Sequence, residues 1–207
     1  MIPPSTPFHA VATPTRHNVT IAGSAGKNLG PAGSTVVIVK NELLGTAADH
    51  CPSVLDYTKQ AATSPIPSLY NTPPTYNLYM TSLVLDEYRN RGGLAEIKKT
   101  GIERAAQIYD IIDGSGALFT NQVDPGCRSR MTIPFQILGG AEPTLQDEFV
   151  RAGRRAGIEQ LFLHPLFPGL RITMYNGLSD ADFEVVAGFL QRFVEEHTTG
   201  PAYNKMR

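Results

Sequence analysis

The stretch Asn18–Lys40, NVTIAGSAGKNLGPAGSTVVIVK, sets the architecture of the first part of this chain. A short apolar segment enters a loop of small residues from Gly23 to Gly33, and a second apolar segment follows over Thr35–Lys40. The run Val36-Val37-Ile38-Val39 predicts a strand buried on both faces, because it has no polar side to turn toward water. Such a strand needs neighbours on its edges and helices above and below. Residues 1–95 supply two or three strands and one long helix, too little to cover that sheet. Part of this domain is therefore expected to be absent or to come from a partner.

Lys27 lies in the middle of the loop. A nucleotide phosphate loop is excluded by spacing, since it needs glycine where Ile21 stands and Ser or Thr where Asn28 stands. A dinucleotide fingerprint is excluded because no G-x-G-x-x-G occurs. Two readings remain. Lys27 is a solvated lysine on a surface loop, or it is an amine that forms a Schiff base with a cofactor aldehyde. The second requires close backbone approach, which small residues on both sides permit. It also requires an amine that loses its proton near neutral pH, which burial or nearby cations bring about. The first acidic residue of the chain is Glu42, so the loop has no carboxylate of its own.

Outward from this loop, residues 1–18 are rich in Pro, Thr and His without a period and predict an irregular tail. Residues 50–74 are expected to be largely loop. A helix is predicted from Thr75, after Pro73-Pro74, with Tyr76, Tyr79, Met80, Leu83, Val84 and Tyr88 at helical spacing. Arg91-Gly92-Gly93 breaks it. A second helix from Leu94 carries Ile97, Ile102, Ala105, Ala106, Tyr109 and Ile112, with Gly101 as a weak point. Arg130–Ile137 predicts a strand in which Pro134 favours an edge or a bulge. Thr144 with Asp147 predicts the N-cap of a helix through Arg155. Leu170–Tyr175 is a further strand. Ser179 with Asp182 caps a last helix, whose Phe183, Val186, Ala187, Leu190 and Val194 form one apolar stripe. The expected organisation is a tail over 1–18, a partial large domain over 19–100 and a small α+β domain over 101–207.

Composition narrows the function classes. Hydrophobic residues at 42% and charged residues at 18% suit a globular chain. A formal net charge of -1 offers no electrostatic basis for nucleic acid or an anionic membrane as partner. No apolar run approaches the ~18 residues that span a bilayer. Cys51 and Cys127 are too few for a disulfide framework or a thiolate metal site, so no metal is expected. The opening residues lack the apolar centre of a signal peptide, and a reduced, cytoplasmic protein is expected.

Six collinear blocks carry a resemblance. They are SAGKNLGPAGSTVVIVKNELLG over residues 24–45, Cys51-Pro52-Ser53-Val54-Leu55-Asp56-Tyr57, and Tyr70-Asn71-Thr72-Pro73-Pro74-Thr75. Arg91-Gly92-Gly93-Leu94-Ala95-Glu96, Ser129-Arg130-Met131 with Pro134-Phe135, and Gly169-Leu170-Arg171 with Tyr175-Asn176 follow. Together they resemble the phosphoserine aminotransferase family, class V of the pyridoxal-phosphate-dependent aminotransferases. The resemblance spans residues 19–197. It implies an α/β fold: the C-terminal part of a fold-type I PLP-dependent transferase large domain, followed by a small α+β C-terminal domain. It also implies that the family's N-terminal half is lacking.

By this resemblance Lys27 matches the lysine that holds pyridoxal phosphate and moves a proton at the substrate. One flexible amine must serve there as leaving group and base. Asn71 and Thr72 match residues that contact the cofactor phosphate of the neighbouring subunit across a dimer interface, as neutral donors. On local chemistry alone, Asn71-Thr72-Pro73-Pro74 is equally a helix-start turn. Arg171 matches the arginine that grips the substrate carboxylate, where a guanidinium makes two parallel hydrogen bonds. His164 stands where the family binds the substrate phosphate; a turn histidine is its other reading.

Four departures bear on activity. Pro165 follows His164 where the family has an arginine, and proline brings neither charge nor donor. Gly26 stands where glutamine is usual. The family's aspartate about two dozen residues before the lysine, which pairs with the cofactor ring nitrogen, has no counterpart. The ring-stacking aromatic, the first phosphate-binding turn and the N-terminal substrate arginine have none either. The implied activity is transfer of an amino group from glutamate to 3-phosphohydroxypyruvate in serine biosynthesis, by a homodimer. The alternative is a non-catalytic chain that pairs with a full-length subunit through Asn71 and Thr72. Pro165 motivates a third expectation, an unphosphorylated acceptor such as 3-hydroxypyruvate or glyoxylate.

Overall fold

Apolar residues on either side of a small-residue loop pair with each other before they pair with anything distant. In the computed structural model, which describes residues 20–62, 68–164 and 167–198, β1 (Thr20–Ser24) and β2 (Thr35–Val39) form an antiparallel hairpin in the register Thr20↔Val39 to Ser24↔Thr35. The expected tail over residues 1–18 and Pro165 lie outside the described residues. The expected burial of the second strand on both faces is corrected. Val37 is 40% and Ile38 53% exposed, because the two strands form a sheet by themselves and no described helix covers both faces.

Residues 50–62 are more ordered than a loop. A single 3-10 turn over Ser53–Leu55 leads into α1 (Tyr57–Ala61), whose N-cap Asp56 accepts a hydrogen bond from the Thr58 amide at 2.9 Å. Helix α2 (Thr75–Asn90) starts directly after the double proline. Of its apolar stripe only Tyr88 is buried, while Tyr76, Tyr79 and Leu83 are exposed. Gly92 and Gly93 both take positive φ and turn the chain into α3 (Gly93–Asp113), which runs through Gly101 without a break.

The described chain forms two compact units that meet between Leu94 and Ala95. The second unit has a core of its own. Its sheet runs in the order β3 (Phe119–Thr120), β4 (Thr132–Ile137), β6 (Phe167–Thr173) and β5 (Phe162–His164), all antiparallel. β4 alternates strictly, with Ile133, Phe135 and Ile137 buried and Thr132, Pro134 and Gln136 on the other face. Leu170 and Ile172 of β6 join the buried face, which α3, α4 (Pro143–Arg155) and α5 (Asp180–Thr198) cover. Phe149 on α4 is fully buried, with its ring centroid 4.9 Å from those of Phe189 and Phe193, 5.6 Å from Phe119 and 5.7 Å from Phe135. This aromatic cluster is the centre of the unit.

Three local expectations are corrected here. Pro134 sits in an inner strand, not an edge; it is tolerated because β3 pairs β4 only at Gln136 and Ile137, and beside Pro134 the Asn121 side chain, not a ladder strand, donates to its carbonyl at 2.7 Å. Thr144 is not the cap of α4: the helix starts on Pro143, whose fixed φ suits the first turn, with Glu142 before it making no side-chain cap. β3 and β5 were not expected at all, being two and three residues long. The α5 cap is as expected, since Ser179 Oγ accepts from the Asp182 amide at 3.1 Å and donates to its carboxylate at 2.6 Å. A buried cation ties helices together: Arg104 donates to the Leu178 carbonyl at 2.9 Å and to Asp180 at 2.6 Å. No helix among the described residues is long and apolar enough to cross a membrane.

Candidate active site

The hairpin ladder continues one pair past β1 and β2, with the Ala25 amide donating to the Ser34 carbonyl at 2.8 Å. Lys27 follows two residues on. Its amide donates to the Ala25 carbonyl at 2.7 Å, which folds the chain tightly there, and its side chain is exposed. A Cβ on Gly26 would lie 3.1 Å from Ala32 Cα and Cβ, so the two limbs of the loop touch at that point. Gly30 and Gly33 have φ of +147° and +112°, conformations that glycine adopts without strain. A Cβ at Gly30 would come within 2.9 Å of Thr81 Oγ1, and one at Gly33 within 2.5 Å of Asn77 Nδ2. The small residues thus let the loop lie on α2. Composition showed only that close approach to the backbone is permitted; the fold shows that a helix does the approaching.

Asn71 and Thr72 are exposed, in the first unit, on the segment that leads into α2, the helix on which the lysine loop lies. Their amide and hydroxyl are neutral donors suited to an anion. Arg171 and His164 belong to the second unit. Arg171 is on β6 opposite Pro134, on the face of the sheet turned away from the core, and is half-buried. Its amide donates to the Leu161 carbonyl at 2.7 Å, and among the described residues no carboxylate pairs with its guanidinium. A cation on a strand with no counter-charge among the described residues is suited to a carboxylate ligand. His164 ends β5, its backbone paired across to Phe167 of β6. The fold therefore gathers Lys27, Asn71 and Thr72 in one unit and Arg171 and His164 in one sheet of the other. No group of three or more His, Cys, Asp or Glu among the described residues is placed to hold a metal ion.

Two groups of residues escaped the reading of the sequence. Asn77, Thr81 and Tyr88 of α2 contact the lysine loop, and only Tyr88 carried a signal, as one of an apolar stripe. Arg128 pairs both terminal nitrogens with Asp113, at 2.6 and 2.9 Å, and lies 4.6 Å from the centre of the Tyr109 ring. Burial raises the Tyr109 phenol above its ordinary range against the lowering effect of Arg128, with Asp113 adding to the rise. This trio joins the end of α3 to the segment before β4 and is structural.

Residues 9–159 of the chain match the aminotransferase class-V family. The chain belongs to that family. It is similar to the phosphoserine aminotransferase of Burkholderia vietnamiensis, at 39% identity over 83% of this chain and 46% of that protein. Among solved structures it is similar to phosphoserine aminotransferase from Bacillus circulans subsp. alkalophilus, with TM-score 0.78 and 36% identity over 86% of this chain and 47% of the other. The PLP-bound phosphoserine aminotransferase of Trichomonas vaginalis superposes with TM-score 0.76 at 29% identity, over 83% of this chain and 47% of that one. The chain thus spans about half the length of the relatives it matches.

Proposed function

We propose that this chain acts in phosphoserine aminotransferase chemistry, the exchange of an amino group between glutamate and 3-phosphohydroxypyruvate with pyridoxal 5'-phosphate as cofactor, in the cytoplasm. The observation that carries the reading is the similarity of the chain to these enzymes over most of its length, with Lys27 on a glycine loop held against a helix. The residues present fit part of the cofactor. Lys27 offers the covalent anchor, and Asn71 and Thr72 offer neutral donors for the phosphate, from one subunit to its dimer mate. The acid-free stretch up to Glu42 suits an anion but supplies no carboxylate for the ring nitrogen.

When bound, the cofactor supplies an electron-withdrawing ring that stabilises negative charge at the substrate α-carbon. Lys27 takes the proton from that carbon and returns one during the exchange. Arg171 orients the substrate by two parallel hydrogen bonds to its carboxylate, which a lysine cannot reproduce. His164 contacts the phosphate of the acceptor. An acceptor without phosphate is the variant of this reading that Pro165 motivates, and comparing 3-phosphohydroxypyruvate with 3-hydroxypyruvate and glyoxylate as acceptors decides between them.

A second reading is favoured by one observation. Ile38 on β2 and Tyr76, Tyr79 and Leu83 on α2 expose large apolar side chains in the lysine-bearing unit. A chain that pairs with a full-length subunit would cover them and would contribute Asn71 and Thr72 without turning over substrate. Incubation of the purified chain with pyridoxal phosphate, borohydride reduction and peptide mass mapping separates the two. An adduct on Lys27 supports the enzyme reading. Adducts scattered over surface lysines, or none, remove it and leave the partner reading.

A further inference from the structure

Helix α2 touches the lysine loop at three positions on one face. Asn77 and Thr81 are one turn apart, and Tyr88 lies two turns beyond Thr81. The Tyr88 hydroxyl donates to the carbonyl of Asn28, the residue after Lys27. The Asn77 amide donates to the carbonyl of Ala32. These two tethers bracket Leu29, Gly30 and Pro31, with Leu29 buried and Gly30 seated on Thr81. On the other side of Lys27, Ala25 is fully buried and bonded to Ser34. The backbone of Lys27 is therefore held on both flanks while its side chain is exposed. Tyr88 is the buried residue of a helix whose other aromatic side chains face solvent.

We propose that Tyr88 and Asn77 are positioning residues that fix where the Lys27 amine is presented, with Thr81 as the surface on which Gly30 rests. This rests on the reading of Lys27 as the cofactor lysine. An amine on a loop free to wander meets a bound aldehyde in many geometries; one on a tethered loop meets it in few, and capture is faster. Both side chains bond to the backbone of the loop. Both act through the loop, and their role is separable from folding because Tyr88→Phe keeps the ring and removes only the hydroxyl.

The test uses the full chain with Tyr88→Phe and Asn77→Ala. Hydrogen exchange read by mass spectrometry over residues 27–33 reports the tethers without any cofactor. The rate of borohydride-trapped pyridoxal phosphate on Lys27, relative to Lys98, reports positioning. Each variant is expected to speed exchange in the loop and leave that of α3 unchanged. Capture at Lys27 is expected to fall about two- to tenfold, the equivalent of one hydrogen bond. Unchanged loop exchange in both variants overturns the clamp, whatever the cofactor does. Faster exchange with undiminished selectivity for Lys27 overturns its positioning role. A native chain that captures nothing at Lys27 while the variants still loosen the loop overturns the proposed function and leaves the tethers standing.

Discussion

Tyr109 shows how one side chain couples packing to pH. Its ring is buried under Arg128, and its hydroxyl donates to the Ser129 carbonyl at 2.9 Å. Burial raises the phenol above its ordinary value, about 10. As pH rises, the unfolded chain loses this proton first, while the folded chain still holds it. Stability is therefore complete below the ordinary value and falls as pH climbs through the raised one. Tyr109→Phe is expected to remove that alkaline slope and to cost about 1 kcal/mol at neutral pH for the lost hydrogen bond. Urea unfolding across pH 7 to about 11 reads both effects. Arg171 calls for a different measurement. On the proposed role of Arg171 as a carboxylate clamp, Arg171→Lys keeps the charge but not the planar fork, and calorimetric titration with glutamate is expected to show affinity lower by about tenfold.

At the scale of elements, α4 and β6 depend on close approach. Phe149 is the ring that four other phenylalanines surround, so Phe149→Ala leaves a cavity no neighbour fills and is expected to cost about 3–5 kcal/mol by chemical denaturation. Gly169 has φ of +109° in β6, and a Cβ there would lie 2.9 Å from the Phe135 carbonyl oxygen of β4. Gly169→Ala meets both strain and backbone, and a loss of about 1–3 kcal/mol is expected. Because Gly169 is two residues from Arg171, the proposed carboxylate clamp, the same change is expected, on that proposal, to weaken glutamate binding beyond its effect on stability. Equal binding at temperatures where both chains are folded would limit Gly169 to a structural role.

Over the whole molecule, apolar burial is unequal. All twenty buried members of the core cluster, from Ala105 to Phe193, belong to the second unit. In the first unit, only Ala25, Leu29 and Tyr88 are buried apolar residues among those described. Residues 95–198 are therefore expected to fold alone with a cooperative urea transition, and residues 20–94 are expected to show none without a partner or cofactor. Circular dichroism of the two fragments checks this. A cooperative transition in the first fragment would show that the hairpin and α2 suffice for their own stability.

Helices α2, α3 and α5 were legible in the residues because each has a local cause: a double proline, a glycine pair, and Ser179 with Asp182 around a stripe of helical period. The strand character of β2, β4 and β6 was legible for the same reason, as was Lys27 in its glycine loop. The motif order also pointed to the family. Short pairings were not legible, since β3 and β5 exist only because β4 and β6 offer them edges, and Pro143 rather than Thr144 starts α4. Nor was the partner of the glycine loop, because the contact of Tyr88 with Asn28 joins residues far apart in sequence, and no local pattern encodes it. Periodicity and turn chemistry are properties of neighbours along the chain. Which face meets which loop depends on packing, and that was decided in three dimensions.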